Sequence, residues 1–200
     1  MSAARKEAAE KLMALLQTFP EVKGCTLYGS LAEGGGDALS DIDIEVDVSG
    51  TDNGAFALML PDRLAQHIPV FYSDYAPSLA PQQYVVTLAL DENDPFLFAD
   101  LRCAATPHCA AVTPAQLKAR NTLFAHTLKL WTANLKHYAR GVDCTAEICR
   151  MGRKLGLAQA EEKEGELLLE ETLDWLDENA PQQMKTFLAS CRVAFARLTR

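Results

Sequence analysis

The segment at residues 41–48 limits the folds open to this chain more than any other. It reads Asp-Ile-Asp-Ile-Glu-Val-Asp-Val, four carboxylates in strict alternation with four β-branched residues. This period of two is that of a β-strand, because successive side chains of a strand point to opposite faces of the sheet. We therefore expect a strand with one buried apolar face and one acidic face.

Two of these acids, Asp41 and Asp43, lie in a context that favours metal chemistry. Residues i and i+2 of a strand project in the same direction, roughly 6–7 Å apart. Two carboxylates at that spacing can share hard cations such as Mg²⁺, which prefer oxygen ligands and also bind substrate phosphates. For Glu45 and Asp47, further along the strand, a solvated sheet face is the better interpretation.

A loop rich in glycine precedes this strand. A short apolar run at residues 23–28 leads into Gly29 and Ser30, and three glycines follow at residues 34–36. Ser30 is expected to cap a short helix over residues 31–33. Backbone N–H groups at a junction between strand and helix can bind phosphate oxygens, and glycine permits close approach. Gly29 and Ser30 are therefore candidate nucleotide-binding residues.

Together these motifs resemble the signature of the polymerase-β-like nucleotidyltransferase superfamily. That signature is a strand ending in Gly-Ser, a short helix, and an acidic strand with Asp-x-Asp. Here it reads Leu-Tyr-Gly-Ser-Leu-Ala at residues 27–32 and Asp-Ile-Asp at residues 41–43. The resemblance implies that Asp41 and Asp43 bind Mg²⁺ and that ATP is the nucleotide donor. The chain departs from the signature at Glu33, where many relatives carry Arg or Lys.

Members of this superfamily usually take a third acid from a later strand, and Asp100 is the candidate here. It lies in an otherwise apolar run at residues 96–103, where a charge without a partner is costly. By resemblance it would complete the metal site or act as general base on the acceptor hydroxyl. Pairing with Arg102 or a backbone amide is the alternative. The rival acid is Asp74, which ends a strand expected over residues 70–75 and is better interpreted as exposed in a loop.

The chain changes character just before Thr113. Strand-like runs dominate the preceding part, whereas apolar residues recur at helical spacing in the part that follows. Thr113 and Pro114 form a favourable N-cap and N1 pair for a long helix that would end at Gly141. We expect an α+β nucleotidyltransferase domain at residues 1–112, with a mixed sheet and flanking helices, and a helical bundle domain at residues 113–200.

Within the helical half, Trp131, Lys136 and Arg140 form a loose pattern that ends at a glycine. It resembles the C-terminal domain of antibiotic nucleotidyltransferases, which adenylylate aminoglycosides or lincosamides. Lys129, Lys136 and Arg140 fall at i, i+7 and i+11, along one edge of the apolar stripe. There they would reach the triphosphate and replace the basic group absent at Glu33. A solvated helix edge explains them equally well.

The formal charge of −8 argues against a polynucleotide substrate, because proteins that hold nucleic acid normally carry a basic stripe. It favours a small acceptor, and a cationic acceptor would be attracted. No run approaches the roughly 18 apolar residues of a membrane span, and charged residues interrupt the N-terminal segment. A cytoplasmic protein is therefore expected. The sequence does not determine the oligomeric state, and a homodimer is compatible with it.

Two short patterns compete with this interpretation. Cys103, His108 and Cys109 place three soft metal ligands close together, but zinc ligands are usually more tightly paired, and reduced thiols are the better interpretation. Arg120 and His126 match the short motif of HEPN ribonucleases, although His126 is better explained as a residue on a helix face.

The main hypothesis is an Mg²⁺-dependent enzyme that moves AMP from ATP to a hydroxyl of a small molecule such as an aminoglycoside-type antibiotic. The alternative is a regulatory or antitoxin module of the same fold, which binds or nucleotidylates a partner protein. The short chain and Glu33 favour that alternative.

Overall fold

A computed structural model describes residues 3–80, 83–107 and 111–199 of the chain. It divides into two compact units, one of residues 1–91 and 96–122, the other of residues 92–95 and 123–200. The main division thus falls after Thr122 rather than before Thr113. The first unit is α+β and the second is helical.

The first unit is built on a five-stranded mixed sheet of order β1-β2-β5-β4-β3. Strands β2 and β5 are parallel, and the other neighbouring pairs are antiparallel. The α+β class, with a mixed sheet and flanking helices, is therefore confirmed. The helices and strands of the first unit are α1 Ala3–Leu16, β1 Gly24–Tyr28, α2 Gly29–Ala32, β2 Ile42–Asp47, α3 Asn53–Leu64, β3 Tyr72–Ala80, β4 Gln83–Ala89, β5 Phe98–Ala104 and α4 Pro114–Lys118.

Strand β2 has the two faces that its alternation predicts. Ile42, Ile44 and Val46 are fully buried, and the acids between them are half-buried. Helices α1 and α3 pack on the apolar face, α1 against β1 and β2 and α3 against β4 and β5. Each large apolar side chain buried there contributes roughly 1.5–3 kcal/mol, so the register of β2 is strongly specified. A slip by one residue would bury the acids.

Strand β3 is longer than the sequence indicates, and this places Asp74 inside the sheet. Asp74 is opposite Thr87 and only 1% exposed. Its interpretation as a loop-exposed acid is therefore wrong. The strand continues past Asp74 at the edge of the sheet, where proline is tolerated, and its register with β4 shifts between Ala76 and Ala80.

The long helix expected from Thr113 to Gly141 is instead two helices. Thr113 does cap α4, in a capping box with Gln116, but α4 ends at Lys118. In the break that follows, the side chain of Asn121 bonds to both backbone groups of Tyr75, accepting from its N–H at 2.8 Å and donating to its carbonyl at 2.9 Å. Asn121 thereby pairs with the edge strand β3, which is why the helical pattern stops there.

The second unit consists of α5 Leu123–Ala139, α6 Thr145–Lys154, α7 Gly165–Asn179, a 3₁₀ turn at Gln182–Met184 and α8 Lys185–Leu198. Trp131 lies in its core, fully buried, and its Nε1 donates to the carbonyl of Leu169 at 2.8 Å. Among the described residues, no helix has the length and apolar character needed to cross a membrane.

Candidate functional site

The face of the sheet opposite α1 and α3 carries one residue from each strand in a single register. We call this set the acidic row, and from β1 through β2, β5 and β4 to β3 it consists of Tyr28, Asp43, Asp100, Thr87 and Asp74. Residues directly opposed on paired strands project from the same face, and neighbouring strands are about 4.8 Å apart. Two acids that the sequence analysis selected, Asp43 and Asp100, are therefore neighbours.

Gly29 lies against the Asp43 carboxylate. Its φ is +69°, which side chains with a Cβ rarely adopt. A Cβ placed on Gly29 would overlap the Asp43 Oδ2 atom and lie 3.2 Å from the carboxylate carbon. Glycine is thus required here for two independent reasons, its backbone conformation and the close approach of Asp43.

Helix α2 begins at Gly29, and its N-cap is Tyr28, without a capping side chain. The expectation that Ser30 caps a helix over residues 31–33 is therefore wrong, because the chain turns directly after the extended Tyr28. Ser30 lies in the first turn and is exposed. Glu33 is the C-cap of this short helix, where its N–H donates to the Gly29 carbonyl at 3.2 Å.

Asp41 lies immediately before β2, outside the ladder that aligns Asp43 with β1. The loop before it is tied to α1, because Nε of the buried Arg5 donates to the Ser40 carbonyl at 2.8 Å. Within the loop, Asp37 Oδ1 accepts from the Ser40 hydroxyl at 3.0 Å. The chain that delivers Asp41 to the start of β2 is therefore anchored at the preceding residue.

Asp100 is held by Thr87, whose hydroxyl donates to the Asp100 Oδ1 atom. Thr87 is only 1% exposed whereas Asp100 is half-buried, so the donor side of this bond is shielded from water. A hydrogen bond to a charged group contributes about 1.5–3 kcal/mol, and it also orients the carboxylate. Thr87 is not predictable from the sequence, since nothing local in β4 shows which residue of β5 it will lie beside.

Arg102, which the sequence offered as a partner for Asp100, forms an ion pair with Glu45. Its Nη2 lies 2.6 Å from Oε2 of Glu45, the residue directly opposite on β2. Its Cζ lies 4.4 Å from the centroid of the Tyr28 ring. Glu45 is therefore part of a cross-strand ion pair stacked on an aromatic ring, rather than simply a solvated acid.

The electrostatics of Tyr28 link it to the acidic row. Burial raises the pKa of the Tyr28 phenol, and the charge of Asp43 raises it further. Asp100 and Glu45 also raise this pKa, whereas Arg102 lowers it. The phenol thus stays neutral and lies in the combined field of the carboxylates. The last acid of β2, Asp47, is separate from this group, because its Oδ1 accepts from the Ser49 N–H at 2.8 Å in the following turn.

The donors of the acidic row suit a hard cation. Among the described residues, no group of three or more His, Cys, Asp or Glu side chains is arranged to hold a metal ion. Mg²⁺, however, is usually bound by one or two carboxylates together with substrate phosphates and water. The adjacent oxygen donors of Asp43 and Asp100 are therefore of the kind that Mg²⁺ binds together with other ligands.

The soft-ligand pattern around Cys103 fits a metal less well. Cys103 is fully buried in β5, and burial raises the pKa of its thiol, which disfavours the thiolate that zinc requires. His108 and Cys109 lie outside the described residues.

The three cations assigned to the triphosphate belong to the second unit, whereas the acidic row belongs to the first. Lys129 and Lys136 lie on α5, and Arg140 follows its last residue. Lys136 is buried, at 4% exposure, so a solvated helix edge does not describe it. Lys129 is half-buried and Arg140 is exposed. Their contact with a nucleotide stays a prediction.

No protein-family model matches this chain, and no curated protein matches it in sequence. The functional assignment therefore depends on the acidic row and on the motif from which it is built.

Proposed function

We propose that this chain is a metal-dependent nucleotidyltransferase of the polymerase-β-like fold, which transfers AMP from ATP to a hydroxyl group of a small molecule. The observation that carries the proposal is the pairing of Asp43 with Asp100 on neighbouring parallel strands, beside Gly29. Adjacent carboxylates repel each other unless a cation offsets their charge. A site for Mg²⁺ and a triphosphate accounts for why both acids occur here.

In this proposal Asp43 and Asp100, together with Asp41, hold the metal, and the backbone of Gly29 and Ser30 lies beside the phosphates. When bound, the metal would offset the charge of the triphosphate and favour deprotonation of the acceptor hydroxyl. Lys129, Lys136 and Arg140 are assigned to the triphosphate by resemblance. Thr87 keeps the Asp100 carboxylate in one orientation through its hydrogen bond to Oδ1.

The reaction is a substitution at the α-phosphorus of the nucleotide. The acceptor oxygen forms a bond to this phosphorus, and the bond from it to the oxygen that bridges to the β-phosphate breaks. Pyrophosphate leaves with that electron pair. The hydroxyl proton passes to a carboxylate of the acidic row, and Asp100 is the residue that we assign to this step.

The acceptor that we propose is cationic, of the aminoglycoside type. The formal charge of −8 attracts cations over long range. On the acidic face itself, Asp43, Glu45 and Asp100 outnumber Arg102. A polyamine-like acceptor would be attracted to this surface, whereas a polynucleotide would be repelled.

The test is an incubation of the protein with Mg²⁺, each of the four labelled ribonucleoside triphosphates, and a panel of aminoglycosides and lincosamides. We expect the acceptor to gain the mass of one nucleoside monophosphate less one water, with ATP as the best donor, and pyrophosphate to be released. Chelation of the metal should stop the reaction.

Turnover that is unchanged in Asp43→Asn would contradict the assigned site. An inactive wild-type protein that forms a stable complex with another protein would instead support the regulatory alternative.

A further inference from the structure

We infer that Arg102 binds the phosphate groups of the nucleotide, and so supplies the positive charge that the motif lacks at Glu33. This inference rests on the proposed function, because it concerns the same site. It assigns the role to a residue of the first unit, in addition to the cations of the second.

Arg102 lies on the same face of the sheet as the acidic row. It follows Asp100 by two residues on β5, so both side chains project in the same direction. Its guanidinium then extends across β2, where it contacts Glu45 at 2.6 Å, and reaches Tyr28 on β1, 4.4 Å from the ring centroid.

This direction brings the positive charge toward the phosphate end of the site. Tyr28 is a member of the acidic row, opposite Asp43, and it directly precedes Gly29. A guanidinium stacked on Tyr28 therefore contacts the residue that directly precedes the junction between β1 and α2, where the backbone would meet the triphosphate. The charge of Arg102 is felt at the Tyr28 phenol together with those of Asp43 and Asp100.

The hydrogen-bonding capacity of Arg102 is only partly used. A guanidinium has five N–H donors. Nη2 faces Glu45, while Nε is buried and has no hydrogen-bond partner among the described residues. The side chain retains 30% exposure, so its outer nitrogens reach solvent. A small rotation on the Tyr28 ring, with a phosphate replacing Glu45 at Nη2, would present Nε and Nη2 together, the fork that binds phosphate oxygens in bidentate fashion.

The contacts of Arg102 also reduce the conformational entropy that its side chain would lose on binding a phosphate. The Tyr28 ring supports one face of the guanidinium, and this support remains when a phosphate displaces Glu45 from Nη2. The positive charge is thereby kept in place over Tyr28 in the absence of nucleotide, as a preorganised binding group.

Arg63 provides a matched control, because its environment is similar and its location is not. Its Cζ lies 4.0 Å from the Phe19 ring centroid, and its Nη1 lies 3.0 Å from Glu21. It belongs to α3, which packs on the opposite face of the sheet. Substituting Arg63 removes the same kinds of contact without touching the acidic row.

The experiment measures binding of ATP and of adenosine, each with Mg²⁺, to the wild-type protein, Arg102→Gln, Arg102→Lys and Arg63→Gln by calorimetry. We expect Arg102→Gln to weaken ATP binding by about tenfold or more, the effect of one charge-assisted hydrogen bond. Arg102→Lys should recover part of this loss, and Arg63→Gln should match the wild type. Adenosine should bind equally to all four, since it has no phosphates.

Wild-type affinity for ATP in folded Arg102→Gln would overturn the inference, and so would an equal loss of affinity for ATP and adenosine. A wild-type protein that binds no nucleotide would overturn the proposed function as well, so the two failures are distinguishable.

If Arg102→Gln does not fold, ATP binding to Glu45→Gln tests the inference instead. It keeps the arginine and removes the carboxylate that competes for it, so ATP should bind more tightly. Unchanged or weaker ATP binding in Glu45→Gln would contradict the inference.

Discussion

Asp43 on β2 and Asp100 on β5 are directly opposite each other on neighbouring parallel strands, with both side chains on the acidic face. Parallel neighbours cannot be joined by a tight turn, and here α3, β3 and β4 intervene in the chain. The two carboxylates are brought together only when the sheet forms. Their mutual repulsion then lowers stability unless a cation binds between or beside them.

Substituting one of these acids should separate activity from stability. We expect Asp43→Asn to lower the rate of nucleotide transfer on the order of 100-fold or more, because the metal loses a charged ligand. In metal-free buffer the same variant should be as stable as the wild type or more so, since one of two like charges is gone. Urea unfolding and a transfer assay measure the two effects.

Asp47→Asn is the matched control for this prediction. Asp47 lies on the same strand and the same face, but its carboxylate serves the turn at Ser49. Its substitution should leave transfer close to the wild-type rate. Equal losses of transfer rate in Asp43→Asn and Asp47→Asn would show that a carboxylate contributes wherever it lies along the acidic face.

Gly29→Ala should destabilise the protein more than glycine replacement at a comparable backbone conformation elsewhere. Gly50 has φ +88° and no atom within 4 Å of an added Cβ, so Gly50→Ala measures the conformational effect alone. That effect is about 1–2 kcal/mol. Gly29→Ala adds the overlap with Asp43, and its free energy of unfolding should therefore fall further.

A double-mutant cycle tests the origin of this difference. Asp43→Ala removes the carboxylate that an alanine at position 29 would meet, so the two substitutions together should cost less than their sum. Additive free energies of unfolding would mean that Asp43 and Gly29 are not in contact.

Thr87→Val should weaken both folding and catalysis, because it removes the hydroxyl that donates to Asp100 and nearly preserves the side-chain shape. We expect a loss of about 1.5–3 kcal/mol in the free energy of unfolding. Thr87→Ser keeps a hydroxyl and should retain most of the stability and activity. Thr132→Val is a suitable comparison, since Thr132 is equally buried but donates at 2.8 Å to the neutral Leu128 carbonyl within its helix. A Thr87→Ser variant as impaired as Thr87→Val would contradict the role of the hydroxyl.

Cys25 should make stability fall at alkaline pH. Burial raises the pKa of its thiol to about 11, above the value of about 8.5 in an unfolded chain. The folded state then binds the proton more tightly, so this contribution is complete below the unfolded pKa and is lost as the pH rises through the folded pKa.

Urea unfolding of the reduced protein between about pH 8 and 11 measures this slope. Cys25→Ala should show a shallower decline than the wild type. The raised pKa of the Tyr28 phenol affects the wild type and Cys25→Ala alike, so the difference between their two stability curves is due to the Cys25 thiol. Parallel curves would rule out the effect.

Local patterns were sufficient to predict several features of the first unit. The alternation of β2 and the capping pair at Thr113 both occur as expected. Each of these depends on residues that are close in sequence, through side-chain periodicity or one hydrogen bond to a backbone amide. Such features can be predicted without knowing how the rest of the chain folds.

The partners across the sheet were decided by tertiary structure alone. Asp100 receives its hydrogen bond from Thr87, Arg102 pairs with Glu45, and Asp74 is buried opposite Thr87. The sequence contains each residue but not the register, which is a joint property of two segments whose apolar faces must be buried together. The sequence by itself therefore determined that this chain carries an acidic strand and, before it, a junction between strand and helix at Gly29. Only the completed sheet determined which side chains meet there.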